Sequence, residues 1–329
     1  MQLLKRLQTP SLPLQIVLVT MAALLWFLPD LCGKSYPHNE YAFTILGQLT
    51  WFTLPAFWAH FVQFWVVLLV AVWVNALCNS RRVFGVRSTM PFVCLLLVAS
   101  CAGRVQFFSA STIAFLLFLY AVSQLLAMYG TKRECVSEAF KLGTAIICAA
   151  IFDQPYIWLV PLPIVGMIVF STLTKRTFCA FVAGLLLPAA LLAECLALTN
   201  TWSLLKQAAD ITWFAGLAQI SWPTWSELSL TIGIAIMLMV AIGSYVSSSA
   251  IFNLNIRLNY IFMCIVLVLT LLLALFTGWS ETLLLPPILC ATFIISFYFT
   301  TNNNKFAHTL FILFAVCCTA CRVLLLFGL

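Results

Sequence analysis

The sequence predicts an all-α protein, a polytopic bundle of transmembrane helices, and three observations lead there. First, 64% of the 329 residues are hydrophobic and only 8% are charged, with a mean hydropathy of +1.10, whereas a soluble domain carries about 25% charged residues. Second, apolar runs near the length of a membrane-crossing helix recur along the whole chain. Third, the basic residues fall in alternate loops between those runs, the pattern that sets orientation in a membrane. The same composition excludes disorder, collagen and coiled coil, because there is no polar tract, no Gly period and no charged heptad. The net charge of +7 rests on only 16 Lys and Arg, scattered in twos and threes, so it reads as topology and no nucleic-acid partner is expected.

The first element is the apolar stretch Leu12 to Leu28 behind Lys5 and Arg6. Pro29-Asp30-Leu31 before Cys32 is not a small-residue cleavage site, so this stretch is expected to stay as a signal anchor and first span. Further runs follow at about 57–77, 90–102, 109–128, 138–151, 155–172, 178–196, 229–249, 258–277, 282–299 and 306–327. That gives about 11 spans in a single integral membrane domain covering residues 1–329. The runs at 90–102 and 138–151 are short for a hydrocarbon core of about 30 Å, and each is expected to form a hairpin with its longer successor. If neither crosses alone, the count falls to nine.

Two stretches, 90–133 and 137–176, look alike. Each has a short helix, a polar break (Gly103-Arg104-Val105-Gln106 or Phe152-Asp153-Gln154-Pro155), a long helix and a Thr-Lys-Arg close. This is a candidate tandem hairpin repeat. Two longer connections, 30–56 and 197–228, carry amphipathic stretches and are expected to lie as interfacial helices on the outer face.

With the N-terminus cytoplasmic, Lys5, Arg6, Arg81, Arg82, Arg87, Lys132, Arg133, Lys141, Lys175, Arg176, Arg257 and Lys305 all fall inside. Only Lys34, Arg104, Lys206 and Arg322 fall outside. The acids divide the other way: Glu134 and Glu138 inside, but Asp30, Glu40, Asp153, Glu194, Asp210, Glu227 and Glu281 at or near the outer face. Chemistry, if there is any, is therefore expected outside. The reading is a multi-pass protein of a bacterial inner (cytoplasmic) membrane.

The cysteines lie in apolar runs such as Val316-Cys317-Cys318, and His38, His60 and His308 occupy unrelated segments. They read as packing residues, with no metal and no cofactor. Nucleotide, GxSxG and HExxH motifs are missing. Glu227 is explained as the far member of a capping box with Thr224, and Glu281 as a helix-dipole partner. Glu194 and His308 lie within or near spans without an evident partner. Trp51, Trp58 and Trp65 recur every seven residues as a lipid-facing belt. Gly243 and Ser247 have the small-xxx-small spacing of close helix approach.

Three functional readings remain. The leading one is a non-enzymatic envelope component that works with a membrane protein partner, since no complete catalytic motif is present. In the second, Asp30 and Glu40 sit in the first outer loop, an arrangement that resembles polyprenyl-phosphate-dependent multi-span glycosyltransferases. That resemblance implies Asp30 or Glu40 as catalytic base on an acceptor hydroxyl, and Arg104 on the phosphate of a polyprenyl-phosphate lipid. Asp153 and Gln154 would complete the substrate-binding side, with Asp153 pairing with Arg104. The family's paired acidic motif is absent, because Leu31 follows Asp30 and Tyr41 follows Glu40. A transporter is the third reading, weakened by the lack of mid-span acids.

Asn79-Ser80-Arg81-Arg82 with Met90-Pro91, Tyr129 to Arg133, Phe152-Asp153-Gln154-Pro155, Val169-Phe170 and Thr174 to Leu187 together carry a further likeness. Over about residues 81–187 the chain resembles an uncharacterised family of polytopic inner-membrane proteins of Bacteroidota. The resemblance implies a cell-envelope location in contact with membrane lipid.

Overall fold

The computed structural model describes residues 7–9, 12–31, 56–129, 135–198, 225–276 and 284–327, and these contain helices, turns and no strand. In chain order the helices are α1 (Leu12–Leu31), α2 (Ala56–Ser80), α3 (Met90–Cys101), α4 (Ala110–Met128), α5 (Val136–Phe152) and α6 (Pro161–Val169). Then come α7 (Lys175–Leu198), α8 (Trp225–Ser248), α9 (Leu254–Phe276), α10 (Leu285–Thr301) and α11 (Lys305–Phe327). Six of these, α2, α4, α7, α8, α9 and α11, are long and apolar enough to cross a membrane. The expected interfacial helices fall on 30–56 and 197–228, whose central parts lie outside the described residues.

Bonds between helices mark two ends of the bundle. At the end where α1 finishes, the exit end, Phe108 N donates to Ala59 O at 3.2 Å, and Ser229 Oγ lies 3.1 Å from Cys321 Sγ. At the entry end Gln8 Nε2 donates to Phe299 O at 2.7 Å, Tyr129 Oη to Asn255 Oδ1 at 2.6 Å, and Asn302 Nδ2 to Ser244 Oγ at 3.2 Å.

The short helices occupy the centre. In α3 every residue except Leu97 is buried, and α10 is buried from Leu285 to Thr300 apart from Ile288. A helix that is apolar all round belongs inside a bundle. At about 1.5 Å per residue, α3 is too short to face lipid from side to side, and its neighbours supply the length it lacks. The loop before it also plugs the core, with Phe84 set 4.9 Å from Phe293 and 5.6 Å from Phe297. The hairpin expectation is thereby corrected for 90–102. The main partners of α3 are α10 and α2 rather than its successor α4, whereas α5 packs on α7 and α4.

Two further expectations change. The second hairpin does not continue as a long helix: Gln154–Leu159 is a 3-10 stretch and α6 has only 9 residues. Pro155, Pro161 and Pro163 cannot donate backbone hydrogen bonds, so the α-helical ladder fails there. No helix among the described residues approaches Gly243, since a Cβ built there meets nothing within 4 Å and Ser247 is exposed, so any neighbour of that stripe lies outside them. Close approach is made between α5 and α7, where a Cβ on Gly143 would strike the Phe181 carbonyl and one on Gly184 would strike the Phe140 carbonyl. Of the tryptophan belt, Trp58 and Trp65 are exposed, and Trp51 lies outside the described residues.

Candidate functional site

The exit end holds a polar group buried among α1, α2, α3, α4 and α11, centred on Arg322. Its origin is local. Pro29 sits inside α1 and has no N–H, so the carbonyl of Leu25, four residues earlier, loses its helical partner. Arg322 is 0% exposed and supplies the missing donor: its Nε reaches Leu25 O at 3.0 Å, and Nη2 reaches Trp26 O at 3.0 Å. Nη2 also donates to Gln106 Oε1 at 2.7 Å, the short distance of a charge-assisted bond. A guanidinium suits this task because its donors form a rigid planar fork.

Gln106 passes the connection on, its Nε2 donating to Ser100 O at 2.9 Å at the end of α3. Beside it, Gln63 Nε2 donates to Val105 O at 2.9 Å, and Thr112 Oγ1 donates to Gln63 Oε1 at 3.0 Å. The ring of His60 is stacked between Trp26 at 5.6 Å and Phe107 at 5.4 Å, while Trp26 Nε1 donates to His60 O at 3.3 Å. The 103–109 connection is thus stitched to α1 and α2 along its length. A void of about 10 Å³ lies beside Gln63 and Thr112, lined otherwise by apolar side chains such as Val67, Leu95 and Phe115.

The residues singled out from the sequence fall around this group unequally. Asp30 lies in the last turn of α1, four residues after Trp26, and Arg104 lies in the 3-10 turn Gly103–Val105, two residues before Gln106. The backbone therefore brings both to the exit end beside Arg322; their side chains and all of Glu40 lie outside the described residues. Asp153 and Gln154 occupy the break between α5 and α6. Asp153 is 1% exposed, and neither carboxylate oxygen has a hydrogen-bond partner among the described residues; its expected pairing with Arg104 involves a side chain outside them. Tyr156 N donates to Asp153 O at 3.1 Å. The Tyr156 ring lies 6.2 Å from Phe118, and its hydroxyl, also buried, has no hydrogen-bond partner among the described residues.

Sequence reasoning missed Arg322, Gln106 and Thr112 as a group. It also passed over the CxxC spacing of Cys318 and Cys321 in α11. Both thiols are free and buried. No group of three or more potential metal ligands occurs among the described residues. No protein-family model, curated protein or solved structure matches the chain.

Proposed function

We propose that the chain is a multi-pass protein of a bacterial inner membrane, crossing nine to eleven times, with the entry end in the cytoplasm and the exit end outside. It works there as a non-enzymatic component through a membrane protein partner. The observation that supports this reading is the commitment of Arg322. Among the described residues its guanidinium donates to the carbonyls of Leu25 and Trp26 and to Gln106, fastening the ends of α1, α3 and α11 into one rim. The long segments 32–55 and 199–224 leave from this end, so the rim is a fixed base from which they meet a partner. A photo-crosslinker in place of Tyr41 is expected to give a discrete protein adduct in cells, while one at the lipid-facing Leu69 gives none. Absence of a protein adduct from every tested position in 32–55 and 199–224 would refute the reading.

The convergence of the Asp30 and Arg104 backbones on the same rim supports a second reading. In it Asp30 or Glu40 is the base and Arg104 holds the phosphate of a polyprenyl-phosphate lipid, with Asp153 and Gln154 toward the substrate. Asp30→Asn, Glu40→Gln and Arg104→Ala decide it. If each is expressed normally and leaves the cellular phenotype unchanged, the transferase reading is lost.

A further inference from the structure

The break between α5 and α6 encloses an acid. α5 leaves the entry end, where Cys135 lies against the Met128 carbonyl, and at about 1.5 Å per residue its 17 residues carry Asp153 to the exit side. Both Asp153 carboxylate oxygens and the Tyr156 hydroxyl are buried without a hydrogen-bond partner among the described residues. The helices packed around the break bring no described countercharge to it. α4 and α6 carry no charged residue, and those of α5, Glu138 and Lys141, stand in its first two turns. α7 has Lys175 and Arg176 at the entry end and an exposed Glu194, and α9 has only Arg257, also at the entry end. The remaining titratable groups on these elements are the phenols of Tyr120, Tyr156 and Tyr260 and the thiols of Cys148, Cys179, Cys195 and Cys264, none of them a cation. Arg104 precedes α4, and its side chain lies outside the described residues.

The segment that carries this acid is short and interrupted. Gln154–Leu159 is a 3-10 stretch between α5 and the 9-residue α6, and Pro155, Pro161 and Pro163 contribute no backbone donor. Tyr156 and Leu159 are buried, while Ile157 and Trp158 are exposed. The stretch therefore lies as a flap, one side on the core and the other outward.

We infer that Asp153 is a proton-binding site and that loss of its proton opens the 153–160 flap. A proton needs no cavity, so the enclosure that would bar any larger ligand is no obstacle to it. With neither donor nor countercharge around it, the enclosed carboxyl is stable as the neutral acid, because an unpaired buried charge is costly. When the O–H bond breaks, the proton passes to water and the electron pair stays on the carboxylate, which is then stabilised by turning to water at the exit side. The flap can carry it there without parting α5 from α7, whose close approach at Gly143 and Gly184 lies further down α5. Linkage fixes the sign. The closed form holds its proton above the ordinary aspartate value of about 4 and the open form does not, so closure is favoured at low pH and lost as pH rises. In the proposed orientation the proton comes from outside; the site itself depends neither on that orientation nor on a partner.

Two measurements on the full chain in maltoside micelles, which hold no ester carbonyl, test it. Infrared spectra at about pH 6, roughly two units above the ordinary aspartate value, should show the C=O band of a neutral carboxylic acid. That band should be lost in Asp153→Asn and kept in Glu194→Gln. Hydrogen–deuterium exchange, corrected for the intrinsic rate at each pH, should show the protection of 149–160 falling about tenfold per pH unit above about pH 5, the slope for one proton released on opening. The same segment in Asp153→Asn, and residues 115–126 of α4 in both chains, should show no such slope. Asp153→Ser, shorter and equally unable to ionise, should give the same flat profile, and melting midpoints show that the variants are folded. Absence of an acid band that depends on Asp153 overturns the proton site. An acid band that appears only in Arg104→Ala shows that Arg104 keeps Asp153 ionised and overturns it as well. Protection that does not change with pH in the parent chain, or that falls equally in Asp153→Asn, overturns the opening.

Discussion

Arg322 occupies the hydrogen-bonding position that Pro29 vacates. Pro29 cannot donate to the carbonyl of Leu25, and the guanidinium of Arg322, 297 residues further along the chain, reaches that oxygen at 3.0 Å. A helix break that would leave a carbonyl bare at the end of α1 becomes the point at which the last helix is fastened to the first. Pro29 and Arg322 are therefore expected to be energetically coupled although neither touches a substrate.

Arg322→Ala takes the donor from Leu25 O and Gln106 Oε1 and one donor from Trp26 O, and each buried acceptor left without a donor costs about 1–3 kcal/mol. A loss of the order of 3 kcal/mol in denaturant titrations of the detergent-solubilised protein is expected. Pro29→Ala returns an N–H to Leu25 and should lessen the cost of Arg322→Ala, giving a coupling of about 0.5 kcal/mol or more. Strictly additive effects would remove Pro29 from the explanation.

Gln63 and Thr112 form one unit with Val105. Thr112→Val should cost about 1 kcal/mol and Gln63→Leu about 2 kcal/mol. The double variant should cost clearly less than their sum, because removing both partners leaves no bare group between them. Thermal midpoints of the three variants check this.

Glycines at two places should respond in opposite ways. Ala at Gly143 or Gly184 drives a methyl into the facing carbonyl of Phe181 or Phe140, and pushing α5 from α7 is expected to cost about 1–3 kcal/mol. Gly243→Ala meets open space and should be neutral or raise stability by up to about 1 kcal/mol. Equal losses at all three positions would place α8 against a neighbour.

At the α5–α6 break the carboxylate of Asp153 has no donor among the described residues, so removing its charge should do no harm. Asp153→Asn is expected to match or exceed the parent chain in thermal midpoint at neutral pH, since an unpaired buried charge is costly. A drop equivalent to more than about 2 kcal/mol would mean that the carboxylate is held by a donor after all.

How far the sequence could be read follows from what each feature depends on. Apolar runs such as 109–128 become helices, here Ala110–Met128, because lipid demands an apolar segment that satisfies its own backbone; nothing distant has to be known. The roles of α3 and α10 were hidden because apolarity marks lipid contact and bundle core alike. Arg322 was counted as an outer charge and no more, since its acceptors lie 216 to 297 residues away. Small-residue spacing singled out Gly243 and Ser247, yet the close approach is made by Gly143 and Gly184, a choice fixed by which faces meet. Asp153 was legible as a polar break, but its lack of a partner depends on its neighbours in space.

The most direct test of the account is the side of the membrane on which each end of the bundle lies. In intact cells, a membrane-impermeant maleimide scored by mass spectrometry should label Cys32, beyond the exit end of α1. It should label Asn304→Cys, in the exposed turn before α11 at the entry end, only after the membrane is opened. Labelling of Asn304→Cys from outside with Cys32 protected would invert the orientation, and labelling of both from outside would contradict the crossing pattern.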